Sequence, residues 1–237
     1  MSTFVRADAR SVDALRPIEF VRGVQRHSSG SVLVRWGETH VLCAVNVEDR
    51  VPHHRLQSGG GWLSAEYAML PGSTQERQRR ERPNVGGRSA EIQRLIGRAL
   101  RASVDIDRLG QRTLWIDCDV VQADGGTRCA SITAAYVAVA IALSRLGLPA
   151  PKPIAAVSVG IVQGHVVTDL CYTEDSTAEV DLNYVATPSG VVEVQGTAEG
   201  KPFTRSRLDA MIDHAEQACA TIFEIQAEAL RLWATQV

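Results

Sequence analysis

Three stretches of this 237-residue chain carry side chains whose types and spacing suit the binding of an anion and a cation. The first is Gln122-Ala123-Asp124-Gly125-Gly126-Thr127-Arg128, between a strand-like and a helix-like segment. Two glycines let the backbone turn sharply and expose N–H groups. The helix start behind them carries partial positive charge, Thr127 adds a hydroxyl, and Arg128 adds a fork of donors. These are the parts of a phosphate or sulfate cradle. The same residues also read as an ordinary βα turn, with glycine for positive φ and Thr127 as N-cap. The second stretch, Gly86-Gly87-Arg88, repeats the logic at another helix start. Two arginine-bearing helix starts could converge on one anion, or Arg88 could be solvated at a loop-to-helix junction. The third runs from Glu174 to Asn183. On a strand from about residue 179, Val180 and Leu182 face one way while Glu179, Asp181 and Asn183 face the other, and Asp175 sits in the preceding turn. Three carboxylates and an amide oxygen suit a hard cation such as Mg²⁺, which keeps several waters and bridges to phosphate. A strand with a wet face is the alternative.

Charge position supports the pairing of these sites more than charge total does. The formal net charge is only −2. Yet residues 76–101 hold eight arginines against three glutamates, and residues 169–181 hold five acids and no base. One block could meet a polyanion and the other a divalent cation, or both could be solvated surfaces that never meet. Of the 25 basic residues only Lys152 and Lys201 are lysines, each before a proline, so neither a P-loop lysine nor a Schiff-base lysine is expected. GxSxG and HExxH are absent, and the adjacent His53 and His54 point apart. Tyr67 and Trp62 could stack on bases or simply pack. The five cysteines are scattered without a CxxC, which fits reduced thiols rather than a disulfide framework or a zinc site.

The elements that must position these residues follow from periodicity. Strands are expected at 31–36 and 39–48 as a hairpin, at 114–121, and near 154–163, 165–172, 179–186 and 191–196. Helices are expected at 89–104, at 128–146 and over a long final stretch, 205–234. The Pro-rich run 148–153 is a stiff connector. With 45% apolar and 22% charged residues the chain has the balance of a globular protein. Its longest uncharged apolar run, 134–143, is far short of the ~20 residues of a bilayer span, and the charged start carries no signal core. A cytoplasmic protein without membrane contact is expected.

Seven longer motifs occur in order: GSVLVRWGETHVLCAV (30–45), GWLSAEYAMLPGST (61–74), GGRSAEIQRLIGRALRASVD (86–105), WIDCDVVQADGGTRCASIT (115–133), AAVSVGIV (155–162), YTEDSTAEVDLN (172–183) and EVQGTAEGKPFT (193–204). Together they resemble the ribonuclease PH family, phosphate-dependent exoribonucleases that trim tRNA 3′ ends, over nearly the whole chain. The resemblance implies that Arg88, Gly126, Thr127 and Arg128 hold inorganic phosphate. It implies that Asp175 and Asp181 serve Mg²⁺ and the chemistry, and that Arg77 and Arg80 contact RNA. Asp181 would either orient the metal or protonate the leaving 3′ oxygen. The implied fold is an α/β (α+β) sandwich, with residues 1–237 forming one domain of two similar βα halves, about 1–147 and 154–237. Each half would have a mixed sheet covered by helices on one face. The implied assembly is a homo-oligomeric ring, a hexamer built as a trimer of dimers. The implied reaction is attack of phosphate on the last 3′ phosphodiester of tRNA precursors and other structured RNA tails. It releases nucleoside diphosphates, and the reverse nucleotide addition is expected too.

Three departures stand out. Gly72 occupies a position where the family usually has arginine, with Arg79 and Arg82 as possible substitutes. The connections at 81–86 and 148–153 look short. Cys129 replaces a usual threonine and would place a thiol near the phosphate. A hydrolytic two-metal nuclease would need a denser carboxylate cluster and no phosphate-holding arginines. An inactive RNA-binding ring subunit would require a loss at Arg88, Arg128, Asp175 or Asp181, and all four are present.

Overall fold

The structure is a computed structural model that describes residues 4–80 and 86–234. The first half builds a five-stranded sheet from β1 (Ile18–Arg22), β2 (Gly30–Trp36), β3 (Thr39–Glu48), β4 (Trp62–Met69) and β5 (Thr113–Gln122), in spatial order β1-β2-β3-β5-β4. Strands β4 and β5 pair in parallel. A parallel pair needs a crossover, and helix α1 (Gly87–Ser103) is the long element of that connection. The second half builds a four-stranded sheet from β6 (Ala155–Val162), β7 (His165–Thr168), β8 (Val180–Thr187) and β9 (Gly190–Ala198), in order β7-β6-β8-β9. The expected mixed pairing holds in the first sheet, whereas every pair in the second is antiparallel.

Helix α2 (Thr127–Arg145) lies between the sheets and packs on β2, β3 and β5 of one and on β6 and β8 of the other. A helix covered on all sides must be apolar all round, and fourteen of its nineteen residues are buried. By length and composition it could cross a bilayer, but 78% of its apolar window is buried within the fold, which accounts for that composition. The contacts of Cys129 with Asn183, and of Thr133 with Ala156, put α2 against the face of the second sheet that carries Asp181. The long helix α4 (Arg205–Ala234) covers the opposite face, where Glu216 accepts a hydrogen bond from the Tyr184 hydroxyl at 3.2 Å. The second sheet is therefore covered on both faces rather than on the expected one.

Two local expectations change. The segment IEFVR, flanked by Pro17 and Gly23, is too short for its alternation to announce a strand, yet it pairs along its whole length with β2 as β1. Strand β7 stops at Thr168 instead of reaching residue 172. Asp169 takes a left-handed φ of +56°, which ends the strand, and Tyr172–Asp175 forms the single helical turn α3.

Residues 4–17 form no regular element but are pinned across the second sheet. Arg6 makes a buried two-pronged pair with Glu174, with both contacts at 2.8 Å, and donates to the Thr168 carbonyl at 2.9 Å. Arg16 and Asp169 are buried to 5% and 3% side-chain exposure and meet at 2.7 Å. Asp169 Oδ2 also accepts the Arg16 backbone N–H at 2.7 Å and the Trp36 indole N–H at 2.9 Å. Removing one partner of such a pair leaves a buried charge unmatched, which costs about 3–5 kcal/mol. Asp169→Asn should therefore lower the unfolding free energy by an amount of that order, read as a fall in the urea midpoint. An unchanged midpoint would show that the pair is not holding the halves together.

Candidate active site

The turn between β5 and α2 is shaped by two left-handed glycines, Gly125 at φ +74° and Gly126 at φ +66°. A Cβ on Gly125 would stand 2.5 Å from the Leu170 carbonyl oxygen and 2.8 Å from the Cys171 carbonyl carbon, so only glycine fits against the chain leading to α3. Gly126 precedes the helix and Thr127 is its first residue, so Thr127 is not the N-cap. No side chain caps the first N–H groups of α2, which leaves them for an anion. The turn is held from behind. Arg16 donates to the Asp124 carbonyl and reaches the Gly125 carbonyl at 3.5 Å. Thr39 donates to the Gly125 carbonyl at 2.7 Å, and Asp124 Oδ1 accepts the Tyr172 N–H at 3.0 Å. The phosphate-type turn and the helical turn bearing Asp175 are thereby one unit.

Arg128 is held by two oxygens, Glu91 Oε1 from α1 and Gln195 Oε1 from β9, each at 3.4 Å. Arg88, the second residue of α1, is exposed. Glu91 lies one turn on from Arg88, Gln195 is the strand partner of Asn183, and both meet Arg128. With Asp124 tied to Tyr172, the starts of α1 and α2 therefore lie beside β8 and α3, and both arginines act electrostatically on Asp175 and Asp181. Burial pushes the Asp175 carboxyl above the usual carboxylate range, against the pull of Arg88, Arg128 and Arg16. Burial also pushes Asp181 up, and the neighbouring Asp175 adds to this, while Arg128, an Asn183 hydrogen bond and Arg88 oppose it. Asp181 Oδ1 is buried without a hydrogen-bond partner among the described residues.

The other members of the acidic stretch are elsewhere. Glu179 accepts the Gly164 N–H at 2.8 Å in the β6–β7 turn, and Glu174 is taken by Arg6. The expected three-carboxylate site is therefore a two-carboxylate site, and no group of three or more metal-ligating side chains exists among the described residues. Nor is the strand face wet, since Asn183 is 6% exposed beneath α2. Cys129 is turned from the phosphate turn into the core, its Sγ 3.3 Å from Asn183 Oδ1, and burial raises its thiol well above the ordinary range. Arg77, Arg79 and Arg80 lie exposed in irregular backbone. Arg82 and the rest of 81–85 lie outside the described residues. A Cβ on Gly72 would meet nothing within 4 Å, so the fold does not forbid the usual arginine there. Trp62 packs against the Arg101 guanidinium, 4.9 Å from its ring centre, and against the edge of His54. The roles of Arg16, Asp124, Glu91 and Gln195 are not legible in the motifs because they act through tertiary contacts, although Glu91, Asp124 and Gln195 lie inside the 86–105, 115–133 and 193–204 motifs.

Comparison with known proteins follows this geometry. Residues 14–144 match the model of the 3′ exoribonuclease family, domain 1, and residues 152–218 match domain 2 of the same family. The chain belongs to the 3′ exoribonuclease family. It is 54% identical to ribonuclease PH of Corynebacterium kroppenstedtii, covering 97% of this chain and 94% of that one. It is 56% identical to ribonuclease PH of Saccharopolyspora erythraea, covering 95% and 94%. Among solved structures it superposes on the Archaeoglobus fulgidus exosome with RNA bound to the active site (TM-score 0.80, 21% identity, 93% and 92% covered). It also superposes on rice Rrp46 (TM-score 0.79, 19% identity, 95% and 100% covered). These two likenesses establish the ribonuclease PH fold, a two-sheet α/β sandwich.

The raised Asp181 carboxyl has a consequence for stability. Folding favours its protonated form, so the charged form weakens the fold at pH values above the folded pKa. That penalty disappears as the pH falls below the ordinary value of 3.8. Asp181→Asn should thus be more stable than the parent at neutral pH, with the gain shrinking in acid, as read by denaturant unfolding across pH. A variant less stable at pH 7 would contradict the assignment.

Proposed function

We propose that Arg88, the Gly126 turn, Thr127 and Arg128 hold inorganic phosphate against the last 3′ phosphodiester of RNA, with Asp175 and Asp181 on the other side of the reacting groups. The chain is a phosphorolytic 3′-to-5′ exoribonuclease, so the step it catalyses is transfer of a nucleotidyl group from the RNA 3′ end to phosphate. Nucleoside diphosphate leaves, and nucleotide addition is the reverse. The observation that carries this reading is that Asp124 ties the turn before Arg128 to the helical turn bearing Asp175, while Arg128 reaches both Glu91 and Gln195. Glu91 is one turn on from Arg88, and Gln195 is the strand partner of Asn183, two residues from Asp181.

Such a reaction asks the protein chiefly for position and charge. Nucleophile and target are both anionic and repel. Arg88, Arg128 and the start of α2 offset that repulsion on the phosphate side. The carboxyl pair fits Mg²⁺: both are hard oxygen donors, the Asp181 Oδ1 lacks a partner, and two carboxylates with waters is a usual Mg²⁺ set. Asp175 and Asp181 would hold the ion, which when bound would neutralise charge building on the phosphate oxygens. The other role open to Asp181, in place of holding the ion, is to donate a proton from its raised carboxyl to the leaving 3′ oxygen. An inactive RNA-binding subunit is not favoured, since all four deciding residues are present and share one site. The RNA is a tRNA precursor or another structured 3′ tail, the working form is a hexameric ring, and the compartment is the cytoplasm, where five free buried cysteines persist.

Losing a charge-assisted phosphate contact removes roughly 1.5–3 kcal/mol. Arg88→Ala and Arg128→Ala should each raise the phosphate KM about ten- to a hundredfold while the melting temperature stays near that of the parent. Unchanged phosphate dependence in either would reject the cradle. Arg77 and Arg80, exposed in irregular backbone, are read as touching RNA phosphates rather than bases. Replacing both with Ala should flatten the salt dependence of RNA binding by about 0.7 in slope per lost single-strand contact. An unchanged slope with an intact oligomer by light scattering would remove them from the RNA path.

A further inference from the structure

Tyr67 is a residue that the motif reading left between stacking and packing. It sits on β4, paired with Cys118 of β5, and is 3% exposed, so no base can stack on it. Its hydroxyl lies 2.9 Å from Thr127 Oγ1, at the first residue of α2. Either oxygen can be the donor in that contact.

We infer that Tyr67 is a positioning residue for phosphate: its buried hydroxyl donates to Thr127 Oγ1, so that the Thr127 proton is left to point at a phosphate oxygen. The inference rests on the reading that Thr127 touches phosphate. Each of the two hydroxyls has one proton, and a phosphate oxygen with no proton can only accept. In the order Tyr67 to Thr127 to phosphate, every proton has an acceptor. In the opposite order Thr127 gives its proton to a buried phenol and has nothing to offer the anion. Burial raises the Tyr67 phenol, only partly opposed by the Thr127 contact and by Arg88 and Arg128, so it stays protonated and able to donate at neutral pH. The parallel pairing of β4 with β5 sets this geometry, because β5 runs directly into the turn before Thr127.

The test is a double-mutant cycle of Tyr67→Phe and Thr127→Val, with steady-state phosphorolysis measured against phosphate and RNA separately. Tyr67→Phe keeps the ring that fills the core. It should raise the phosphate KM about three- to tenfold, the size of one hydrogen bond, while kcat at saturating phosphate and the RNA KM hold. In the Thr127→Val background, Tyr67→Phe should add nothing, because its only route to phosphate is already gone. That double variant pairs two apolar groups and is expected to melt close to the parent. A normal phosphate KM in Tyr67→Phe, with a raised one in Thr127→Val, would overturn the inference and leave the cradle standing. Effects that multiply would overturn it also. A normal phosphate KM in Thr127→Val would remove Thr127 from the cradle, and this inference with it.

Discussion

The ion pair between Arg16 and Asp169 is the constraint on which the site depends. Arg16 precedes β1 of the first sheet, and Asp169 follows β7 of the second. Taking two charges out of water is expensive, and only near-complete hydrogen bonding makes it tolerable. Asp169 accepts from the Arg16 backbone and guanidinium, from Trp36 and from Arg10, and the remaining Arg16 donors go to the carbonyls of Asp124 and Gly125 and to the Thr39 hydroxyl. In a trans peptide the C=O and the next N–H point in opposite directions. Fixing those carbonyls on Arg16 therefore turns the N–H groups of Gly125 and Gly126 away from it. The same pair holds Asp169 in its left-handed conformation, so the chain leaves β7 directly into α3 and Asp175. One buried charge pair aims both sides of the site.

The site keeps its cations and carboxylates apart. Among the described residues, Arg128 pairs with Glu91, and neither Arg88 nor Arg128 forms a salt bridge with Asp175 or Asp181. Had they closed on one another, neither phosphate nor a metal ion would find a free charge. Glu91 and Gln195 hold Arg128 from the helix and strand flanking it, and Arg98 and Glu193 clamp α1 to β9 nearby at 2.5 Å. The two carboxyls, half-buried and mutually repelling, are an unfavourable arrangement that folding alone does not explain. Such strain is common where a protein trades stability for activity.

Much of this was legible from sequence because local physics dictated it. Glycine pairs ahead of helical periodicity marked both arginine-bearing helix starts, and alternation marked β8 and the side on which Asp181 lies. The cation site was overcounted because strand alternation assigns a face and says nothing about a neighbouring turn. Glu179 shares a strand face with Asp181 in the pattern, yet it caps the β6–β7 turn instead. The thiol of Cys129 was misplaced for the converse reason: it is next to Arg128 in sequence, but successive helical residues point about a hundred degrees apart. The alternation of β1 is too short to announce it, and the segment before it offers no element signal. Arg6, Arg10 and Arg16 read as surface charge until their long-range partners, more than 150 residues away in Glu174 and Asp169, are seen. The Tyr67–Thr127 contact likewise depends on which strand neighbours β5.

The central claim, that phosphate bound at this turn is the nucleophile, is most directly tested by following the atom. A tRNA with an extended 3′ tail would be trimmed by the protein in the presence of Mg²⁺ and isotopically labelled inorganic phosphate, and the released mononucleotide identified. The account predicts label in the terminal phosphate of nucleoside diphosphates, and no release when phosphate is omitted. Release of unlabelled nucleoside monophosphates at the same rate with and without phosphate would contradict it, since water would then be the nucleophile.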